Sequence, residues 1–123
     1  MLKAFVFTLL VLFVTTAHGA ATSREAIFEA TALTANRTST VFLIGDSLGF
    51  SLNALYSGSA VGTMSLQGAN IDDASYFKEI DSQAVSGLTT YLLNYHGAHF
   101  RYLRVVYTHT SGSGAVTMYA VKK

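Results

Sequence analysis

From Gly49 onward the sequence runs in short segments of alternating apolar and polar residues, each broken by glycine. Only a pleated strand turns such alternation into one buried and one wet face. Phe50, Leu52, Ala54 and Tyr56 alternate with Ser51, Asn53 and Ser57, and Met64 and Leu66 alternate with Thr63, Ser65 and Gln67. With Gly58-Ser59 as the turn between them, these two runs read as neighbouring antiparallel strands. Residues 89–95 alternate again before Gly97. Residues 100–108 then set Leu103, Val105 and Tyr107 on one face and Tyr102, Arg104 and Val106 on the other. Gly112-Ser113-Gly114 permits a tight hairpin into residues 116–121, because glycine reaches positive φ without a Cβ penalty. The chain has no proline, so glycine, Asn and Asp must make its turns. Asn70-Ile71-Asp72-Asp73 is one such turn, residues 76–80 form a compact strand that packs its aromatic rings on the sheet, and residues 83–88 form a loop with a short strand.

The earlier part continues the pattern. Residues 24–35 follow a Thr22-Ser23-Arg24-Glu25 sequence that suits a helix capping box, yet Ile27, Glu29, Thr31 and Leu33 alternate as a strand does, and the strand is the reading adopted. Residues 40–44 are a short buried strand ended by Gly45-Asp46. The expected fold is all-β: a single antiparallel β-sandwich or jelly roll of about seven or eight short strands.

Residues 1–19 stand apart from this fold. Lys3 precedes an apolar run over residues 4–14, and Ala17-His18-Gly19 offers small residues where a signal peptidase cuts, so residues 1–19 read as a signal peptide and residues 20–123 as the β-sandwich domain. The run is shorter than the roughly 20 apolar residues of a spanning helix. The expected location is therefore outside the cytoplasm, in a periplasm, on a cell surface or in the medium, with no membrane span in the mature chain.

Without Lys3, seven basic and seven acidic residues remain. That balance disfavours nucleic acid as a partner. An exported domain without cysteine must be held by packing rather than by disulfides, which points to bacteria or their phages. Asn36-Arg37-Thr38 fits the N-glycosylation pattern but carries no meaning in a bacterial setting.

Several groups invite a chemical reading. Gly45-Asp46-Ser47-Leu48 matches the nucleophile block of the GDSL hydrolases, where a serine on a strand-to-helix turn is activated by a distant Asp-x-x-His. No Asp-x-x-His occurs, and residues 50–56 alternate as a strand where a helix should follow, so the block reads as a turn with Asp46 bonding nearby amides. A GDSL-type esterase stays a remote alternative, and no residue is assigned a catalytic role. His96 and His99 flank Gly97-Ala98, with His109 ten residues on. Two histidines three apart suit a helix face better than a glycine-containing loop, so no metal site and no cofactor is expected. Arg101 and Arg104, three apart on a strand, point to opposite faces beside tyrosines. They serve either as ligand-contacting cations or, more simply, as structural arginines that cover aromatic edges. Asp72, Asp73, Glu79 and Asp81 lack the spacing of a calcium loop.

Taken in order, Gly49-Phe50-Ser51-Leu52-Asn53, Tyr56-Ser57-Gly58, Val61-Gly62-Thr63-Met64-Ser65-Leu66-Gln67, Phe77-Lys78-Glu79-Ile80, Tyr102-Leu103-Arg104-Val105-Val106-Tyr107 and Ser111-Gly112-Ser113-Gly114 resemble small β-sandwich modules of phage structural proteins and bacterial surface fibres. More distantly the chain is similar to discoidin-type, galactose-binding-like jelly rolls, whose closing strands carry an Arg-Tyr-(Val/Ile)-Arg-(Val/Ile) run. The resemblance implies a non-enzymatic module of assembly or adhesion, a homo-oligomer such as a trimer or a fibre or surface partner, and partner contacts made by loops. Its alternative is a carbohydrate-binding protein with glycans as partners. The candidate ligand- or partner-contacting residues are Tyr76, Tyr95, His96, His99, Arg101 and Arg104.

Overall fold

A computed structural model describes residues 24–46, 49–87, 90–96 and 99–122. The signal-peptide reading of residues 1–19 and Ser47 of the GDSL-like block lie outside the described residues. Within them the chain forms nine strands: β1 (Arg24–Ala32), β2 (Arg37–Thr38), β3 (Phe42–Leu43), β4 (Gly49–Gly58), β5 (Val61–Ala69), β6 (Lys78–Ser86), β7 (Thr90–His96), β8 (Tyr102–Ser111) and β9 (Gly114–Lys122). Seven are long; of the two with only two residues, β3 falls in the short strand expected over residues 40–44, and β2 is an addition on the same edge.

The strands divide between two antiparallel sheets. Sheet A runs β1-β9-β4-β7, and sheet B runs β2-β8-β5-β6 with β3 also on β8. The inward residues are those that the alternation singled out: Phe50, Leu52, Ala54 and Tyr56 from β4 meet Leu103, Val105 and Tyr107 from β8, with Val116, Met118 and Ala120 from β9. Ser39 is buried among them because it carries the ladder across the gap between β2 and β3. Its N–H donates to the Val105 carbonyl at 2.8 Å, and its Oγ accepts from the Val105 N–H at 2.8 Å.

β1 is the strand, not the helix, and it explains why its alternation is imperfect. Ile27 and Phe28 are both buried, and the pairing to β9 slips at Phe28 and again before Thr31. Ala30 absorbs the extra residue at φ 45°, with its N–H donating to Thr117 Oγ1 at 3.0 Å.

Two expected hairpins are something else. β4 pairs with β9 and β7, whereas β5 pairs with β8 and β6, so the turn at Gly58-Ser59 carries the chain from sheet A to sheet B rather than to a neighbouring strand. Gly112-Ser113 likewise carries it back, from β8 in sheet B to β9 in sheet A. The two arches stack on each other. The Ser59 N–H donates to the Ser113 carbonyl at 2.7 Å, and a Cβ on Gly112 would lie 2.3 Å from the Ser59 carbonyl oxygen. Glycine at 112 is thus demanded twice, by a φ of 75° and by backbone against backbone.

Two smaller expectations change as well. Residues 83–86 belong to a full strand, β6, not to a loop. Tyr76 does not pack on the sheet: it ends a 3₁₀ turn, Ala74–Tyr76, capped by Asp73 Oδ1 accepting from the Ser75 N–H at 2.9 Å, and is 56% exposed.

Candidate functional site

Five of the six residues singled out by the sequence come from segments at one end of the sandwich, where β4 begins and β5 and β7 end. Tyr95 and His96 close β7, in register with Phe50 and Gly49. His99 is exposed in the segment that follows. Arg101 follows Phe100 and ties that end together: its N–H donates to the Ala69 carbonyl at 3.1 Å, and its carbonyl accepts from the N–H groups of Ile44 and Gly45 at 2.7 and 3.1 Å. Tyr76 and Ile71 stand exposed beside Phe100, around a shallow depression that also takes in Asn70 and Lys78.

The two arginines have structural partners. Arg101 Nη1 donates to Asp46 Oδ1 at 2.9 Å, an exposed pair whose contribution to stability is small. Asp46 therefore accepts from a guanidinium distant in sequence, while the amides of residues 47 and 48, which the turn reading invokes, lie outside the described residues. β4 follows directly, so the GDSL-like block leads into a strand and not into the helix that a nucleophile elbow needs. Arg101 lies just before β8 rather than on it. Arg104, on the outer face of sheet B, lies 4.4 Å from the centre of the Phe77 ring while its Nε donates to Gln67 Oε1 at 2.8 Å.

His109 is remote from the other two histidines, since it pairs with Gly62 toward the opposite end of sheet B. Its Nδ1 is 3.1 Å from the Tyr107 hydroxyl, and its N–H donates to Asn36 Oδ1 at 2.8 Å. Among the described residues no three His, Asp or Glu side chains gather as a metal would need.

Two further features come together only in the fold. One is the outer face of sheet A. Its central strands present Ser51, Asn53, Leu55 and Ser57 from β4 and Ala115, Thr117, Tyr119 and Val121 from β9, and β7 adds Thr90, Leu92 and Asn94. None of these is charged. Leu55 and Leu92 are 61% and 65% exposed, and Tyr119 is also open to solvent, with the Arg24 guanidinium 5.3 Å from its ring centre at the β1 edge. Sheet B differs, with Arg104, Glu79 and Arg37 on or beside its outer face. The alternation of residues 50–57 placed Leu55 outside, but a lone outward leucine is ordinary in a sequence. Only the cross-strand register puts Leu92 and Tyr119 on either side of Asn53.

The other feature is a narrow cleft on the flank where β6 and β7 are the outermost strands. Tyr56, Gln83 and Tyr91 line it above an apolar floor that includes Leu52, Met64 and Leu66. Burial, with a smaller effect of the neighbouring Tyr91 and Tyr107, pushes the Tyr56 hydroxyl up to about 12. Burial and then the Asp81 carboxylate raise that of Tyr91.

No protein-family model matches the sequence, and no curated protein matches it either. Solved structures do share the fold. The SPBc2 prophage-derived protein YomS is similar with a TM-score of 0.55 at 14% identity, over 82% of this chain and 92% of that one. PirA is similar at 18% identity with a TM-score of 0.48, covering 83% and 93%. The carbohydrate-binding module CBM29_1 from Piromyces equi reaches a TM-score of 0.49 at 10% identity, covering 83% and 92%. At such identities a likeness speaks for the fold alone, and at that level the likeness to YomS agrees with the phage-type β-sandwich read from the sequence.

Proposed function

We propose that this chain is an exported, non-enzymatic β-sandwich module that works in assembly or adhesion by binding further copies of itself through the outer face of sheet A. The observation that carries the reading is the absence of charge from eleven outward positions on β4, β7 and β9, around three exposed large apolar side chains. Solvated faces of small domains ordinarily carry charge of both signs. The uncharged positions of β4, β7 and β9 can meet their own copies about a two-fold axis without repulsion, and burying Leu55 and Leu92 from each copy supplies an apolar centre. Three strands about 4.8 Å apart and about 30 Å long offer roughly 430 Å² of flat area, about half of the roughly 800 Å² that each partner buries in a standard interface.

Residues 1–19 support export, and the apolar run there has the length of a signal peptide rather than of a span. The end of the sandwich that carries Tyr76, Tyr95, His96, His99 and Arg101 then stays free to meet a surface partner or a glycan.

Light scattering across a concentration series tests the reading. The parent protein is expected to self-associate at micromolar concentrations. Leu55→Lys with Leu92→Lys, both at exposed positions that leave the core intact, should weaken association at least about tenfold. A parent that stays monomeric at high concentration, or a double variant that associates as the parent does, overturns it.

A further inference from the structure

The flank between β6 and β7 is built differently from its opposite. On the far flank a backbone bond ties the sheets, the Thr40 N–H donating to the Ile27 carbonyl at 3.2 Å. β6 pairs with β5 and β7 with β4, leaving the outer edges of both strands unpaired within the two sheets. Into this opening β6 turns polar residues where core-facing ones would be apolar: Asp81 and Gln83 pair with the inward Leu66 and Met64. Among the described residues, the buried Tyr56 hydroxyl and the buried Gln83 Oε1 both lack a hydrogen-bond partner. Tyr56 is only 6% exposed and reaches the cleft from the far sheet. Both atoms sit on residues that line the cleft, and buried polar atoms left unsatisfied are rare in folded proteins and costly there.

The chemistry of these groups selects what would satisfy them. Gln83 Oε1 accepts only, Asp81 at the mouth accepts when ionised, and the Tyr56 and Tyr91 hydroxyls each donate one bond and accept others. The missing partner must therefore bring several donors and few bare acceptors. An anion meets the Asp81 carboxylate and the Gln83 oxygen. A cation would lose its water against a floor of Leu52, Met64, Leu66 and Val105, with one exposed carboxylate in return. A neutral compound carrying several hydroxyl groups meets both demands, since each hydroxyl donates and accepts while its C–H faces lie on the apolar floor. The void, of about 20 Å³, has room for a single hydroxyl group. The remainder would lie along the opening beside the half-buried Tyr91 ring.

We propose that the cleft between β6 and β7 is a binding site for a neutral polyhydroxyl ligand, which seats one hydroxyl between the Tyr56 hydroxyl and Gln83 Oε1. This site is separate from the outer face of sheet A and does not depend on self-association.

The full chain would be titrated with xylitol and with methyl β-glucopyranoside, up to about 100 mM, and followed by NMR, with methylammonium and acetate as charged controls. Saturable shifts centred on Tyr56, Gln83 and Tyr91 are expected for at least one of the neutral probes, and neither control should reproduce them. Tyr56→Phe removes only the unpartnered hydroxyl, so it should lower affinity about tenfold or more while its thermal midpoint stays at or above the parent's. Gln83→Leu, on an edge strand, should lower affinity likewise. Absence of saturable shifts from both neutral probes, which would leave the void to a single water, overturns the proposal. So does unchanged affinity in folded Tyr56→Phe, or equal binding of a charged control.

Discussion

Tyr56 shows how one residue can belong to the core by shape and resist it by chemistry. Its ring is packed with Leu52, Ala54 and Met118, while its hydroxyl ends in the cleft unpaired. Burial raises that hydroxyl from 10.0 to about 12 in the fold. Between those values the unfolded chain gives up the proton and the folded chain keeps it, so the stabilisation is complete below pH 10 and lost as pH rises through about 12. Tyr91 and Tyr107, also raised by burial, act in the same direction. Urea midpoints measured from pH 9 to pH 12 should therefore fall steeply for the parent and less steeply for Tyr56→Phe, and parallel curves would contradict the assignment. Arg101 and Arg104 teach the complementary lesson. Their residue type suggests ligand recognition, but each has a structural partner, Asp46 for one and Gln67 with the Phe77 ring for the other.

At the scale of the elements, the glycines read as hairpin turns are arches between sheets. Alternation around Leu103, Val105 and Tyr107 was legible because period 2 in a half-buried strand is a local property. Which strand lies beside which is not local. Nothing at Gly58 or Gly112 distinguishes a turn that returns along the same sheet from one that crosses to the other, since both need positive φ. The difference lies in the Ser59 to Ser113 bond, made across residues more than fifty positions apart. The same limit hid the outer face and the flank cleft, both of which exist only once β4 is set beside β9 and β7, and β6 opposite β7. Gly112→Ala should cost about 2 to 4 kcal/mol of stability, from a strained positive φ together with a Cβ driven into the Ser59 carbonyl. Gly87→Ala makes a suitable control. Its φ is also positive, 68°, but among the described residues nothing crowds it, so it should lose only the conformational part, and equal losses at the two sites in chemical denaturation would count against the stacked arches.

For the molecule as a whole, the sheet order places β8 and β9, the last strands of the chain, inside their sheets: β9 lies between β1 and β4, and β8 between β5 and the β2-β3 edge. A chain ended at residue 113 would lack the strand that joins β1 to the rest of sheet A and should show no cooperative unfolding transition by circular dichroism; a truncated protein that still melts sharply would argue against the topology. The order also sets a timetable for synthesis. When residue 100 has left the ribosome, the available pairings are β4 with β7 and β5 with β6, two isolated ribbons of the marginal kind. A chain in which one interior strand of each sheet is made after all the others stays threadable until its synthesis is almost finished, the condition in which a translocation pore can still pass it.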